Sequence, residues 1–343
     1  MSGTGLDAQL GVKQETTPGT AVTVDRFFEF NSESLAHESM WNEPTGLRVG
    51  TYYKRGARLV RTGVGATGGF EVNHATKGMG LLWKMALHSS LTVPTIVSGT
   101  AYKQVHQPGD PTSKSYTVQV GRPQPTGVVT PFTYNGCKST SWEFSVSDGE
   151  TATLSVDIDG WNETTATALT TASFTAGTGE FGFANATVFK LGGTVSTASS
   201  VMSVAGGVQA TTVVNGFTLS GEMPLKTDRR GLGNSGIKKE QLGPNDTPTI
   251  TGSLDSEFSK TEIYDLYTNQ TQVAIQVSLI GNQIGATGSF DTLDFIIPGA
   301  RIKSAPPNVG GPDVVPMTVE FEAYDDGTNG TLQVTLISTD VTL

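Results

Sequence analysis

Several things that would point to a familiar function are nearly missing from this chain. It holds one cysteine, Cys137, in 343 residues. A lone thiol excludes an intramolecular disulfide framework and fits synthesis in a reducing cytoplasm. Four scattered histidines beside that thiol give no zinc-type ligand spacing, so no metal or other cofactor is expected. No apolar run approaches the ~18 residues of a membrane span, and the opening MSGTGLDAQLGVKQETTPGT has no basic stretch followed by an apolar one. Neither a membrane helix nor a signal peptide is expected. Four Asn-x-Ser/Thr matches, at Asn162, Asn185, Asn269 and Asn329, then carry little weight in a threonine-rich chain.

Catalytic signatures are equally thin. Gly63, Gly65 and Gly68, and again Gly231, Gly233 and Gly236, match a Gly-x-Gly-x-x-Gly pattern. Neither opens a helix in a β-α-β unit, as dinucleotide binding requires. DIDG at 157–160 begins like a calcium loop but lacks the later ligands. Glu143 and Asp157, beside Trp142 and Trp161, form at best a nominal glycosidase pair, and their spacing within one hairpin is ordinary. Serine and histidine assemble into no nucleophile motif, and Cys137 reads as a small packing residue.

What is present is β-structure. Leu154, Val156 and Ile158 alternate with Thr153, Ser155, Asp157 and Asp159, the period-two pattern of a half-buried strand. TLQVTLI at 331–337 repeats it with Leu332, Val334 and Leu336. WEFSV (142–146) precedes the first through SDGE, and MTVEFEAY (317–324) precedes the second through DDGTNG, so both read as antiparallel hairpins. Helical spacing is convincing in two places: Met79, Leu82, Trp83 and Leu87, and Ile263, Leu266 and Tyr267.

These features recur. TGGFEVNHATKGMGLLW (67–83) aligns without a gap on TGSLDSEFSKTEIYDLY (251–267), 184 residues later. FTYNG (132–136) matches FIIPG (295–299), and TLSVDI (153–158) matches TLQVTL (331–336). Strand, basic loop, strand, short helix, strand and hairpin follow in the same order twice. Such a long period points to a duplicated domain rather than a solenoid. The expected division is a module at 1–165, a Thr/Ala/Gly-rich linker at 166–184, and a second module at 185–343.

Charge follows the repeat. RVGTYYKRGARLVR holds Arg48, Lys54, Arg55, Arg58 and Arg61 without an acid; KTDRRGLGNSGIKK holds Lys226, Arg229, Arg230, Lys238 and Lys239 with only Asp228. The two blocks take 10 of the 22 basic side chains and leave 31 of the 32 acids to the rest. A single basic block is most simply a solvated loop. Recurrence at one structural address argues against chance. Nucleic-acid binding is disfavoured, since the acidic remainder repels a polyanion and no nucleic-acid motif accompanies the blocks. Opposite surfaces on one chain instead favour head-to-tail self-assembly into rings or filaments.

The chain resembles the major tail tube proteins of long-tailed bacteriophages. The similarity begins in LGVKQETTPGTAVTVDRFFEF (10–30) and runs through NSESL, the first basic loop, GGFEVNHATKGMGLLWKMAL and LSVDIDG. It implies a mainly β, non-enzymatic chain: two tandem β-sandwich or barrel modules of tail-tube type, each with one short flanking helix. It implies stacked six-fold rings with a β-barrel wall, a long loop reaching the neighbouring ring, and DNA passing only in transit. The duplication suggests a trimer with pseudo-hexameric symmetry, six single-ring chains with one decorating module being the alternative. Tape-measure, tail-terminator and tail-tip proteins become the expected partners, the virion tail the expected location, and no small-molecule substrate is expected. The ten basic residues fall where the docking loop belongs. Asp157, Asp159, Gln333 and Thr335, with the hydroxyls beside them, are candidates for a wet, anionic lumen wall. The rival reading is a carbohydrate-binding or adhesin-like β-sandwich of the virion with Trp41, Trp142 and Trp161 as stacking platforms.

Overall fold

A computed structural model describes residues 3–90 and 93–343. The period-two patterns become antiparallel strands in register. In Thr153–Gly160, Leu154 stands between Val72 and Phe144, and Val156 between Phe70 and Trp142. Apolar side chains at one register therefore stack into rows on one face. Eight strands continue this pairing as one ribbon. They are Ala36–Asn42, Val60–Asn73, Thr153–Gly160, residues 138–147, Val214–Glu222, Thr249–Glu257, Pro316–Ala323 and residues 300–304.

A second layer covers the apolar face. The long strands Val129–Ser147 and Phe290–Ser304 leave the ribbon and bend into it. There residues 129–137 pair with Tyr116–Pro123, which pairs with Gln9–Gln14. In the later half, Phe290–Ser304 pairs with Val273–Gln283, which pairs with Ala186–Leu191. The first bend needs Gly136, whose φ is +65° and where a Cβ would sit 2.4 Å from the Trp161 ring.

The pairing repeats down to its irregularities. Gly68 faces Ile158, and Gly252 faces Phe321. Lys138 faces Asp159, and Arg301 faces Glu322. Tyr134 faces Val118, and Ile297 faces Ile275, as the match of 132–136 to 295–299 requires. The match of 153–158 to 331–336 is wrong. Pro316–Ala323 occupies the place of Thr153–Gly160, and the expected second hairpin does not form. Both edges of Pro316–Ala323 are taken by Thr249–Glu257 and Phe290–Ser304. Asp325 and Asp326 accept backbone N–H bonds from Gly327, Thr328 and Asn329, making a crossing rather than a tight turn. Gln333–Ser338 then joins the outer layer between Phe290–Ser304 and Ala101–His106.

Both expected helices are present. Gly80–Ala86 is an α-helix, while the second begins as a π-helical turn, Lys260–Tyr264, and ends as α-helix Asp265–Thr268. The first carries Trp83, fully buried, into the region where the two halves meet. Its ring lies edge-on to Trp142 at 5.4 Å and Phe295 at 5.6 Å, and its indole N–H donates to His74 Nε2 at 2.8 Å. Phe144 packs 4.7 Å from Phe295 and 6.3 Å from Phe217. One apolar cluster thus runs through both halves. Segment 166–184 does not hang free. Gln9 and Gln119 hold Thr170, and Phe181 is buried with backbone bonds to His74 and Ala152.

Phe144→Ala should cost about 3–5 kcal/mol. Because its ring touches both halves, urea unfolding followed by near-ultraviolet circular dichroism should remain a single transition at a lower midpoint. Burial holds His74 and His106 at about 3 and His88 at about 4, below the ordinary 6.5. The unfolded chain therefore binds more protons than the folded one between those values, and stability falls as pH drops from 6.5 toward 4. Among the described residues, neither ring nitrogen of His106 has a hydrogen-bond partner. His106→Leu should flatten that decline by up to about 1.4 kcal/mol per pH unit, measured as the urea midpoint across pH 7 to 4.5.

Candidate assembly interface

The two basic blocks fold differently. The first lies in the connection between Ala36–Asn42 and Val60–Asn73, and it projects into solvent. Its tip exposes Leu47, Val49, Tyr52 and Tyr53 almost completely. Its bonds are to itself: Lys54 pairs with Glu43, and Arg58 Nη1 donates to the Gly46 carbonyl at 2.7 Å. Arg48 is exposed, Arg55 and Arg58 are half-exposed, and Arg61 stands exposed at the root, opposite Trp41.

The second block lies back on the first half of the chain. Ile237 bridges Val64, and Arg230 donates to the Val64 carbonyl. Lys238 is only 3% exposed; its ammonium meets Asp159 at 2.5 Å and Glu38 at 2.9 Å. Gln241 also donates to Asp159 and accepts from the Trp161 indole at 3.0 Å. Burial pushes the Asp159 carboxyl up, and its bonds to Lys238 and Gln241 oppose the rise. Beside them Lys138, fully buried, donates to the Pro111 and Gln241 carbonyls and to Glu240. Arg229 reaches the Glu240 carbonyl, Lys226 pairs with Asp228, and Lys239 stays exposed. The expectation of two equivalent free loops therefore needs correction: Lys238 and Arg230 are spent within the chain, because Glu38 and Asp159 lie within their reach.

The ribbon's outer face is largely polar, and at its far edge it carries two cations, Arg301 opposite Glu322 and Lys303 paired with Glu322 at 3.0 Å. Along one register row stand Glu71, Ser155, Glu143, Ser220, Thr251 and Glu322. Hydroxyls between carboxylates keep like charges from facing each other directly. Asp157 lies exposed on this face, one row along. Asp159 shares the face but is covered by the second basic block. Gln333 and Thr335 do not belong to it. They are buried in the outer layer, where Gln333 exchanges hydrogen bonds with the backbone of Met202 in the hairpin strand Val201–Ala205. Glu143, Glu222, Asp255, Glu320 and Glu322 were overlooked as members of the face, although alternation in MTVEFE and SLDSE exposed the pattern.

A model of a known family, described as phage tail tube protein, matches residues 5–323. The chain belongs to the phage tail tube protein family. That family is structural and non-enzymatic, and it places the chain in the virion tail. A search of curated proteins returns no match. The three tryptophans of the carbohydrate reading do not gather: Trp142 is buried in the core, Trp161 packs over Gly19 and Gly136, and Trp41 is exposed on an edge strand. No described helix is long and apolar enough to cross a membrane.

Lys238→Met should strand Asp159 in a buried site and cost about 3–5 kcal/mol. The double variant Lys238→Met/Asp159→Leu should recover most of that loss, and thermal unfolding of the three proteins measures both.

Proposed function

We propose that this tail tube protein is a two-module subunit, with modules at 1–165 and 185–343 joined by 166–184, and that three copies close into a pseudo-six-fold ring whose polar face lines the DNA channel. The observation that carries the reading is the continuous ribbon of eight strands with one apolar face, one face that is hydroxyl and carboxylate over its middle strands, and an edge at each end that no described strand pairs with. Strands spaced by about 4.8 Å and tilted by about 40° give a wall of three ribbons a backbone diameter of about 48 Å. Two ribbons would give about 32 Å, which side chains on both walls reduce by about 10 Å, leaving no hydrated gap around a duplex about 20 Å wide. Three is thus the smallest number that passes DNA.

The channel's chemistry suits transit rather than binding. Phosphates meet Glu71, Glu143, Asp157, Glu222, Asp255 and Glu320, while Glu322 is neutralised by Lys303, and net repulsion prevents the wall from gripping the genome. The first basic loop, with Arg48, Lys54, Arg55, Arg58 and Arg61, docks on the acidic body of the adjoining ring. Its exposed Tyr52 and Tyr53 supply the apolar contact that charge alone lacks. Of the second block, Lys226 and Lys239 remain open to such contacts. Tape-measure, tail-terminator and tail-tip proteins would meet the lumen and the two ends.

Electron microscopy of concentrated purified protein tests this. Hollow tubes whose rings average with three-fold symmetry are expected, and a chain that stays monomeric under these conditions would refute the reading. Arg55→Glu with Arg58→Glu should leave rings and the folded midpoint intact while shortening or abolishing tubes, by at least about tenfold in polymer mass if docking runs through these charges. Tubes of unchanged length would remove the docking role from this loop.

A further inference from the structure

The chain already contains one copy of the joint that a ring needs. Val214–Glu222, near the start of the second half, pairs with residues 141–147 at the end of a long strand from the first half. Gly216 faces Ser147, Thr218 faces Ser145, and Glu222 faces Ser141. Two other segments occupy the same places in their own halves and have an edge that no described strand pairs with, although at Leu35 the N–H donates to Glu33 Oε2 at 3.0 Å and the carbonyl accepts from the Tyr134 hydroxyl at 3.1 Å and from Arg122 Nη2. Residues 32–38 correspond to 216–222, since Ser32 faces Glu71 as Gly216 faces Asp255, and Glu38 faces Gly65 as Glu222 faces Thr249. Residues 304–310 correspond to 141–147. Ser304 faces Glu320 as Ser141 faces Asp157, and Pro307 bridges Met317 as Phe144 faces Leu154.

Resting on the ring reading above, we infer that residues 32–38 of one copy pair antiparallel with residues 304–310 of a second copy of this chain, in the register of the internal joint. Ser32 then stands opposite Gly310, Ser34 opposite Asn308, and Glu38 opposite Ser304. The occupant is another copy because the complementary edge is present on the same chain and the internal joint supplies the geometry.

Burial supports the assignment. Val146, whose strand the internal joint covers, is 2% exposed; Val309 in the corresponding place is 78% exposed. One difference between the joints has a physical meaning. Met223 N–H donates to the Thr140 carbonyl and Asp148 N–H to the Asn215 carbonyl, so Phe144 and Leu219 form a hydrogen-bonded pair between them. Pro307 stands at the Phe144 position and has no N–H, so the joint between copies lacks one bond. Pro306, Pro307, Gly310 and Gly311 also keep the free edge from pairing with unrelated strands before assembly. A reversible joint between chains is weaker than its internal counterpart for that reason.

The test is cross-linking of assembled protein. Ser34 and Asn308 would form a non-hydrogen-bonded pair, where facing Cβ atoms come close enough for a disulfide. Ser34→Cys/Asn308→Cys, oxidised after assembly, should give a non-reducing gel with dimers and a cyclic trimer. Each single variant and the slipped pair Ser34→Cys/Gly310→Cys should remain monomeric on that gel. Wild-type protein provides a readout without substitutions: amide exchange at Ala305 and Val309 should slow on assembly. Tubes that form without the in-register cross-link and without that slowing overturn this joint and leave the tube reading standing. Efficient cross-linking of the slipped pair overturns the register. A chain that never assembles overturns both.

Discussion

The pairing of Val214–Glu222 with residues 141–147 is the contact on which the rest of the molecule depends. It converts two four-stranded halves into one ribbon and brings Phe144 and Phe217 to the same side, where Trp83 and Phe295 close over them. Without this joint, each half would present an unsatisfied strand edge and an open aromatic face to water. With it, the ribbon keeps one edge at each end that no described strand pairs with.

Charge is organised around the same joint. A basic loop emerges between equivalent strands in each half, yet only the second finds a partner within the chain. Its half follows another half, and the Glu38 and Asp159 carboxylates of that half lie beneath it. The first loop points outward, with Tyr52 and Tyr53 uncovered and Arg55 and Arg58 half-exposed. The asymmetry lies in surroundings rather than in charge, since the two loops carry similar charge but the second lies against Glu38 and Asp159. The buried Lys238–Asp159 contact therefore belongs to the stability of the subunit, while Arg55 and Arg58 remain half-exposed.

Much of this was legible from residues. The alternation in TATLSVDID and MTVEFEAY, the two helical stripes, the alignment of 67–83 on 251–267 and the match of FTYNG to FIIPG all correspond to paired or equivalent elements. Besides the second basic loop and Asp159, which it covers, two further readings failed for physical reasons. DDGTNG has hairpin chemistry, but both edges of the preceding strand were already occupied, so its Asp side chains shaped a crossing instead. Gln333 and Thr335 alternate with apolar residues as wall residues would, yet their strand lies in the covering layer beneath a second hairpin. Local pattern reports that a side chain is polar; it does not report what lies above it.

The sequence by itself determined the strand character, the two-sided face of each strand, the duplicated order and the segregation of charge, because each depends on residues close together along the chain. Only the tertiary structure decided which strand edges meet, which basic loop is free and which polar side chains stay wet. Those outcomes depend on competition among segments far apart in sequence for the same edges and the same carboxylates. That competition is settled by packing around Trp83 and Phe144, not by any local pattern.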